Sequence, residues 1–501
     1  MLAKVYTYGL IGIEGFPIII EVDNAKGFPC TSIVGLPDNA IKESKERVRA
    51  AIRNSGFDYA KGRVTINLSP AEIKKEGPAF DLPIAIGILI ASEQIDLPHL
   101  KDFLLLAELS LDGKTQPIRG GLSIALSSDK RFKGMIVPQE NAEEAALAQT
   151  IDVYPVKTLL DVINVIKNPS LVKPYKSLTA KSKVLPTYDI DFSEVKGQFD
   201  VKRGLEIAAA GMHNFLLIGP PGSGKSMLAK RLNTILPDMS HEEILETTQI
   251  NSMAGKFINQ KSVITIRPFR SPHHTSSNIA LIGGGSNPKP GEVTLSHNGI
   301  LFLDELPEFR RDALESLRQP LEDNHVTIAR ANKTLRFPSR FVLACAMNPT
   351  PKGWVNKETP HHHMQKYLAK LSGPLLDRID LHLDVPAVKS IDILSTHISE
   401  SSSVIKQRTT SAHDIQKNRF RDSKTTANAY MSSKEIKKFC KLTDEGQSLL
   451  KEAMDELNLS ARGYNKVLKI ARTISDLENT EAIETHHVAE AIQYRSLDRK
   501  L

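Results

Sequence analysis

A chain of 501 residues with 41% hydrophobic content is long enough for about three packed domains, and its net charge of +7 permits a polyanionic partner without requiring one. The three cysteines, Cys30, Cys345 and Cys440, stand too far apart for a disulfide or zinc framework and suit a reducing cytoplasm. The longest apolar run, Leu82 to Ala91, contains Pro83 and falls short of the ~20 residues a bilayer span needs; no signal peptide and no membrane partner are expected, and the expected location is cytoplasmic. In chain order, residues 1–168 alternate β-like runs (Ile18–Val22, Arg63–Leu68, Phe103–Ala107, Gly134–Val137) with helical stretches such as Ala40–Asn54 and Asn141–Gln149, which predicts an α/β domain. Residues 169–188, rich in Lys, Ser and Pro, read as a linker. Residues 189–385 carry the nucleotide motifs, and 386–501 read as a helical domain. Within the latter, Ser399 to Asn428 is Ser/Thr/Lys/Arg-rich and expected to be partly mobile. Amphipathic helices follow at Ser433–Cys440, Glu445–Leu457, Ala461–Leu477 and Thr485–Tyr494, the last with Thr485 as its expected cap.

The strongest local signal is the run Gly219, Pro220, Pro221, Gly222, Ser223, Gly224, Lys225, Ser226. The apolar Phe215–Ile218 precedes it and helix-favouring residues from Met227 follow, the strand–turn–helix context that a phosphate-binding loop requires. Gly222 and Gly224 let backbone N–H groups curl around phosphate oxygens, and the helix N-terminus adds partial positive charge. Lys225 is placed to reach the β- and γ-phosphates of ATP, and Ser226 to hold Mg²⁺.

Two further apolar strands end in polar residues suited to the same chemistry. Gly299–Leu303 delivers Asp304, a candidate Mg²⁺ residue alongside Ser226, and Glu305, a candidate to orient or deprotonate the attacking water. Arg340–Met347 delivers Asn348, whose amide suits the nucleophilic water or the γ-phosphate. Arg378 is a candidate arginine finger for a neighbouring subunit, and Arg462, at a helix start, suits a lid residue reaching the phosphates. The alternative for both arginines is an ordinary surface ion pair.

Phosphate loop, acidic strand end, asparagine, finger and lid arginine occur in the order of an AAA+ ATPase. The segments Pro268 to Thr275, Ile282 to Gly285 and Pro290 to His297 resemble the magnesium-chelatase-like branch. Ala313 to Glu322 and Tyr494 to Arg499 resemble the ComM/YifB competence family in particular. The resemblance spans essentially the whole chain. It implies a central P-loop domain with a helix-2 insert, a hairpin before the asparagine strand and a C-terminal helical lid. It also implies a homohexameric ring that hydrolyses ATP with Mg²⁺ and acts on single-stranded and branched DNA. The 79 residues between Lys225 and Asp304 exceed a minimal crossover, which places the insert at about Asn251 to Val293. The hairpin, Val326 to Arg336, carries Arg330, Lys333 and Arg336 as candidate DNA contacts in a ring channel; the alternative is a solvated basic hairpin.

In the first domain, Lys75 to Pro83 and Pro117 to Ser123 resemble two stretches of the Lon-type protease domain, an S5-like α/β fold. Ala79 and Ser123 stand where that family has its serine nucleophile and its lysine, so acyl transfer is not expected. His361, His362 and His363 are consecutive, and without Cys or acidic partners at ligand spacing they suggest no metal site. Beside a DNA motor, a chelatase-type motor subunit and a protein-remodelling ATPase remain open. A chelatase partner's Asp-x-Ser-x-Ser metal site is absent from this chain.

Overall fold

The computed structural model describes residues 2–177, 188–255, 263–285, 289–330, 333–350, 373–387, 399–457 and 459–495, apart from the side chains of Arg330, Lys333 and Leu457. It divides into two units, residues 1–185 with 241–265 and residues 186–240 with 266–501.

In the first unit, Leu2–Ile11 and Glu14–Ala25 form a long antiparallel hairpin. Arg63–Ser69 pairs antiparallel with the second strand, and Cys30–Val34 closes the sheet in parallel. Because alternate side chains face opposite sides, Ile18, Ile20 and Val22 line up with Val64, Ile66 and Leu68 on the buried face. The helices Asn39–Asn54 and Asp81–Ala91 belong to that core. The second helix is buried nearly all round, so its one carboxylate needs partners. Asp81 accepts from Arg47 Nε at 2.8 Å and from Ser44. A three-stranded parallel sheet (Phe103–Leu105, Gly134–Pro138, Asp152–Val156) completes the unit.

The stretch read as a linker begins as ordered chain: Tyr175 N donates to Val153 O at 2.7 Å, and Ser177 Oγ to Glu143 at 2.7 Å. Residues 178–187 lie outside the described residues.

A helix from much later in the sequence, His241–Met253, belongs to this first unit. It packs against the Gly121–Ser127 helix. Ser252 Oγ accepts from Gly120 N at 2.9 Å, and Gln249 Nε2 donates to Ile13 O at 2.7 Å. Glu144, 1% exposed, lies beneath, bonded to Asn141 Nδ2 at 2.7 Å; burial raises its pKa against the opposing bonds from Ser252 and Asn141.

The second unit holds a five-stranded parallel sheet in the spatial order Phe269–Arg270, Ile300–Leu303, Val342–Met347, Phe215–Ile218, Leu381–Asp384. Its central strands are apolar throughout, as a sheet covered on both faces requires. The helices Phe199–Gly211 and Lys225–Ile235 share one hydrophobic cluster with the sheet and with the C-terminal helices. His325–Arg330 and Lys333–Pro338 form an antiparallel hairpin.

The C-terminal helices are Ser402–Arg419, Ser433–Phe439, Asp444–Leu457, Ala461–Leu477 and Thr485–Gln493. Two expectations are corrected here. The polar stretch from Ser399, expected to be partly mobile and without a helical pattern, holds an 18-residue helix, Ser402–Arg419. Ile405, Thr409, Ala412 and Gln416 repeat at helical spacing and are buried. Three of the buried contacts are polar: Ser402 Oγ accepts from Phe192 N, Thr409 Oγ1 donates to Ile235 O, and Gln416 Nε2 donates to Ala210 O. A hydropathy pattern underrates a face satisfied by hydrogen bonds. The last helix is capped by Glu484 rather than Thr485, because the His487 ring accepts from Glu484 N at 2.9 Å in a reciprocal capping box.

Candidate nucleotide site

In a parallel sheet every strand delivers its following residue to the same edge, and this edge is where open α/β folds bind ligands. The register brings three motifs together here. Ile218 pairs with Met347, setting Gly219 level with Asn348, and Leu303 pairs with Cys345, setting Asp304 beside them.

The phosphate loop needs its glycines. A Cβ on Gly219 would lie 2.1 Å from Val385 O, and Gly222 and Gly224 hold φ of +76° and +88°. The loop is also clamped from outside, since Gln198 Nε2 donates to Ser223 O at 2.9 Å and to Pro386 O at 3.1 Å. Beyond it the helix Lys225–Ile235 presents free N–H groups of its first turn.

Lys225 Nζ donates to Gly219 O at 2.7 Å, to Pro220 O at 2.8 Å and to Asn348 Oδ1 at 3.1 Å. Burial lowers its pKa from the ordinary lysine value, and the Asp304 charge offsets part of that. Ser226 Oγ donates to Asp304 Oδ2 at 2.6 Å. A hydroxyl and a carboxylate at this separation, both hard oxygen donors, fit a Mg²⁺ ion bound jointly with phosphates. Glu305 follows with φ of +52° and an exposed carboxylate. A non-glycine residue in the left-handed region is uncommon and turns this side chain out of the strand direction. His274 Nδ1 lies 3.5 Å from Glu305 Oε2.

Arg378 and Arg462 are not part of this group. Arg378 precedes the strand Leu381–Asp384, whose Leu381 pairs with Phe215 at the start of the phosphate-loop strand. The two ends are separated by the four-residue strand, about 13 Å at ~3.3 Å per residue, before the flanking residues are added. Its guanidinium, 10% exposed, pairs with the Glu322 carboxylate and donates to Pro374 O, and Nε has no partner among the described residues. Arg462 joins it: Nη2 lies 3.9 Å from Glu322 and Nη1 3.7 Å from Asp377. The two arginines thus share the Glu322 carboxylate, and Arg378 stands at the strand end opposite its own phosphate loop.

Of the hairpin residues, Arg330 and Lys333 form the pair that closes the ladder at the turn, and Arg336 pairs with Thr327 and is exposed. The side chains of Arg330 and Lys333, and the whole of His361, His362 and His363, lie outside the described residues.

In the first unit, Ala79 packs against the cluster that holds Ile118, Ile124 and Ala125. Ser123 is fully buried in the Gly121–Ser127 helix, its hydroxyl without a hydrogen-bond partner among the described residues. The positions at which the Lon resemblance would call for a serine nucleophile and a lysine thus hold a methyl group and a buried hydroxyl.

Among the described residues one cluster has metal-ligand spacing: Glu478, His486 and His487. His487 Nδ1 accepts a backbone N–H, so its proton sits on Nε2 and points at Glu478 3.1 Å away. That tautomer makes the pair a hydrogen bond rather than a ligand set.

Gln198, His274 and Glu322 were not singled out from the sequence, although His274 lies in the segment Pro268 to Thr275 and Glu322 closes the segment Ala313 to Glu322; Asp377 was weighed only as a surface partner for Arg378.

The sheet order, the phosphate loop and the acidic strand end define a P-loop α/β protein. Family models agree: residues 191–393 match magnesium chelatase, subunit ChlI, residues 20–141 match a second ChlI model, and residues 399–495 match the ChlI C-terminal model. The chain is 42% identical over 506 residues to competence protein ComM of Haemophilus influenzae, covering 100% of this chain and 98% of that one. It is 42% identical to YifB of Escherichia coli and 43% identical to YifB of Salmonella typhimurium, each over 100% of this chain and 98% of the relative. The chain belongs to the ComM/YifB family of magnesium-chelatase-like AAA+ proteins.

Proposed function

We propose that this protein is an ATP-hydrolysing ring motor, a homohexamer that moves branched or single-stranded DNA and so promotes its integration during recombination. The observation that carries the ATPase part is the convergence of Lys225, Ser226, Asp304, Glu305 and Asn348 at one sheet edge. In this reading the loop N–H groups and Lys225 bind the β- and γ-phosphates, and Lys225 exchanges its carbonyl partners for phosphate oxygens. Ser226 and Asp304 hold Mg²⁺, which when bound neutralises phosphate charge. Glu305 takes the proton of the attacking water, and Asn348 holds that water or the γ-phosphate.

The placement of the arginines supports the ring in this reading. Arg378 is a strand's length from its own phosphate loop, so it serves a nucleotide only from a neighbouring subunit, where it stabilises the charge that develops on the transferred phosphoryl group. Arg462, held beside it, acts at the same interface.

DNA enters the proposal from the relative named for competence and from the basic hairpin, with Arg330, Lys333 and Arg336 tracking the phosphodiester backbone. The first unit is proposed as a Lon-like module without peptidase activity that contacts DNA or a partner protein. A chelatase-type motor subunit is the second reading, favoured by the chelatase family models. ATP hydrolysis measured with single-stranded, duplex, forked and four-way-junction DNA, beside a casein control, tests the DNA reading. Stimulation by branched DNA supports the motor; stimulation by casein alone refutes it.

A further inference from the structure

The run Tyr494 to Arg499, set apart in the sequence by its family resemblance, has no part in the site described so far. Ser496 to Arg499 lie outside the described residues; Tyr494 and Arg495 lie within them. They follow the last helix, Thr485–Gln493, and meet the strand Leu381–Asp384, where Tyr494 O accepts from His382 N at 2.8 Å. Arg495 is 2% exposed, and a guanidinium taken so far out of water needs acceptors. Its Nη1 donates to Ile379 O at 2.7 Å and to Asp380 O at 3.1 Å.

Those carbonyls belong to the two residues that follow Arg378. From the helix Ala461–Leu477, Lys466 Nζ donates to the same Ile379 O at 2.7 Å and stands 3.6 Å from the Asp380 carboxylate. Ile379 is fully buried and precedes the strand, so its carbonyl has no ladder partner and depends on these two cations. From the start of the phosphate-loop strand, Asn214 donates through Nδ2 to Arg378 O at 3.0 Å and through its backbone N to Asp380 Oδ2 at 3.1 Å. Asn214 thus ties the stretch to the sheet, and Lys466 and Arg495 tie it to the C-terminal helices.

We propose that Arg495, acting with Lys466, is a positioning residue for Arg378: its grip on the Ile379 and Asp380 carbonyls sets where the finger arginine stands at the neighbouring subunit's nucleotide. This rests on the reading of Arg378 as a finger supplied in trans. A finger displaced by about an ångström loses much of its effect on the transition state, while ATP binding, which belongs to the phosphate loop, is left intact.

The test uses the full-length protein with ATP and Mg²⁺. Arg495→Met keeps the length of the side chain without a donor, and Arg495→Lys keeps a donor. The expected result is a kcat about tenfold lower for Met, an ATP KM within about twofold of wild type, and kcat largely restored in Lys. Mixed rings then show at whose site the defect falls. With Lys225→Ala, whose fingers are intact, Arg495→Met should rise to about a quarter of wild-type activity, above either variant alone. With Arg378→Ala, which has no finger to lend, the mixture should stay below Arg495→Met alone. A residue that only supports its own subunit's nucleotide site gives the reverse: recovery with Arg378→Ala and none with Lys225→Ala. That reversal, equal behaviour of the two mixtures, wild-type kcat in Arg495→Met, or an Arg495→Lys no better than Met overturns the proposal. Should Arg495→Met fail to fold, Lys466→Met takes its place in both mixtures with the same expectation. Failure of the underlying reading looks different: near-normal kcat in Arg378→Ala, or no recovery when that variant is mixed with Lys225→Ala.

Discussion

Mixing two inactive variants tests the placement of Arg378 most directly. The structure sets Arg378 before the strand Leu381–Asp384 and the phosphate loop after the neighbouring, parallel strand Phe215–Ile218. The gap of more than about 13 Å along the sheet exceeds the roughly 7 Å that an arginine side chain spans, so no rotamer brings it to its own γ-phosphate. Arg378→Ala should therefore bind ATP normally yet lose about 10³–10⁵ in kcat, the range for arginine fingers. Lys225→Ala should fail for the opposite reason, with a finger intact and no phosphate site. In rings assembled at random from equal amounts, about half the subunits keep Lys225 and about half the neighbours keep Arg378. About a quarter of interfaces then carry both, and the mixture should recover about a quarter of wild-type ATPase. Coupled-enzyme assays across the mixing ratio should trace a curve with its maximum at equal amounts. No recovery in rings shown to be mixed, or near-normal kcat for Arg378→Ala alone, refutes the argument.

Lys225→Ala is expected to abolish nucleotide binding by equilibrium titration, and Glu305→Gln to preserve binding while stopping hydrolysis; near-normal turnover by either contradicts the site. No peptidase activity is expected with or without ATP, because Ala79 has no hydroxyl and Ser123 is buried in its helix; hydrolysis of unfolded casein that persists after repurification would contradict this. Neutralising Arg330, Lys333 and Arg336 together should weaken DNA binding and reduce the log–log salt slope by about 0.7–0.9 per lost phosphate contact, with basal ATPase retained. An unchanged slope with unchanged DNA stimulation would make the hairpin a solvated one.

The residues that converge at the sheet edge were legible because each stands directly after an apolar strand, and a parallel sheet turns that local fact into a shared position. Lys225, Ser226, Asp304, Glu305 and Asn348 needed no knowledge of the strand order beyond its being parallel. Arg462 shows the limit. Its motif marks a helix start, but nothing local says that the helix end lies beside Asp377 and Glu322 rather than beside its own phosphate loop. His274 was hidden for a related reason: its place near Glu305 depends on the pairing of Phe269–Arg270 with the acidic strand, and a two-residue strand leaves almost no trace in hydropathy. The helix Ser402–Arg419 was obscured by chemistry, since Ser402, Thr409 and Gln416 fill its buried face with groups that count as polar until their partners are known.

The excursion of residues 241–265 into the first unit lay beyond sequence reasoning altogether, and it changes what counts as a folding unit. The chain leaves the phosphate-loop helix at Ile235, contributes His241–Met253 to the first unit, and returns to place Phe269–Arg270 beside the acidic strand. A fragment beginning near residue 189 would keep every nucleotide motif and still strip this helix of its surroundings. Ile250 and Ser252, at most 2% exposed, would lose the Gly121–Ser127 helix, and Ser252 its bond from Gly120 N. The stretch that links the phosphate-loop helix to the strand Phe269–Arg270 would then carry an unsupported helix. Such a fragment should melt at lower temperature than one in which residues 241–265 are replaced by a short Gly/Ser loop, by several degrees if the exposed helix associates or misfolds. Equal melting temperatures would mean that the helix contributes nothing to the second unit's stability in either state, and that the two units are separable despite the shared chain.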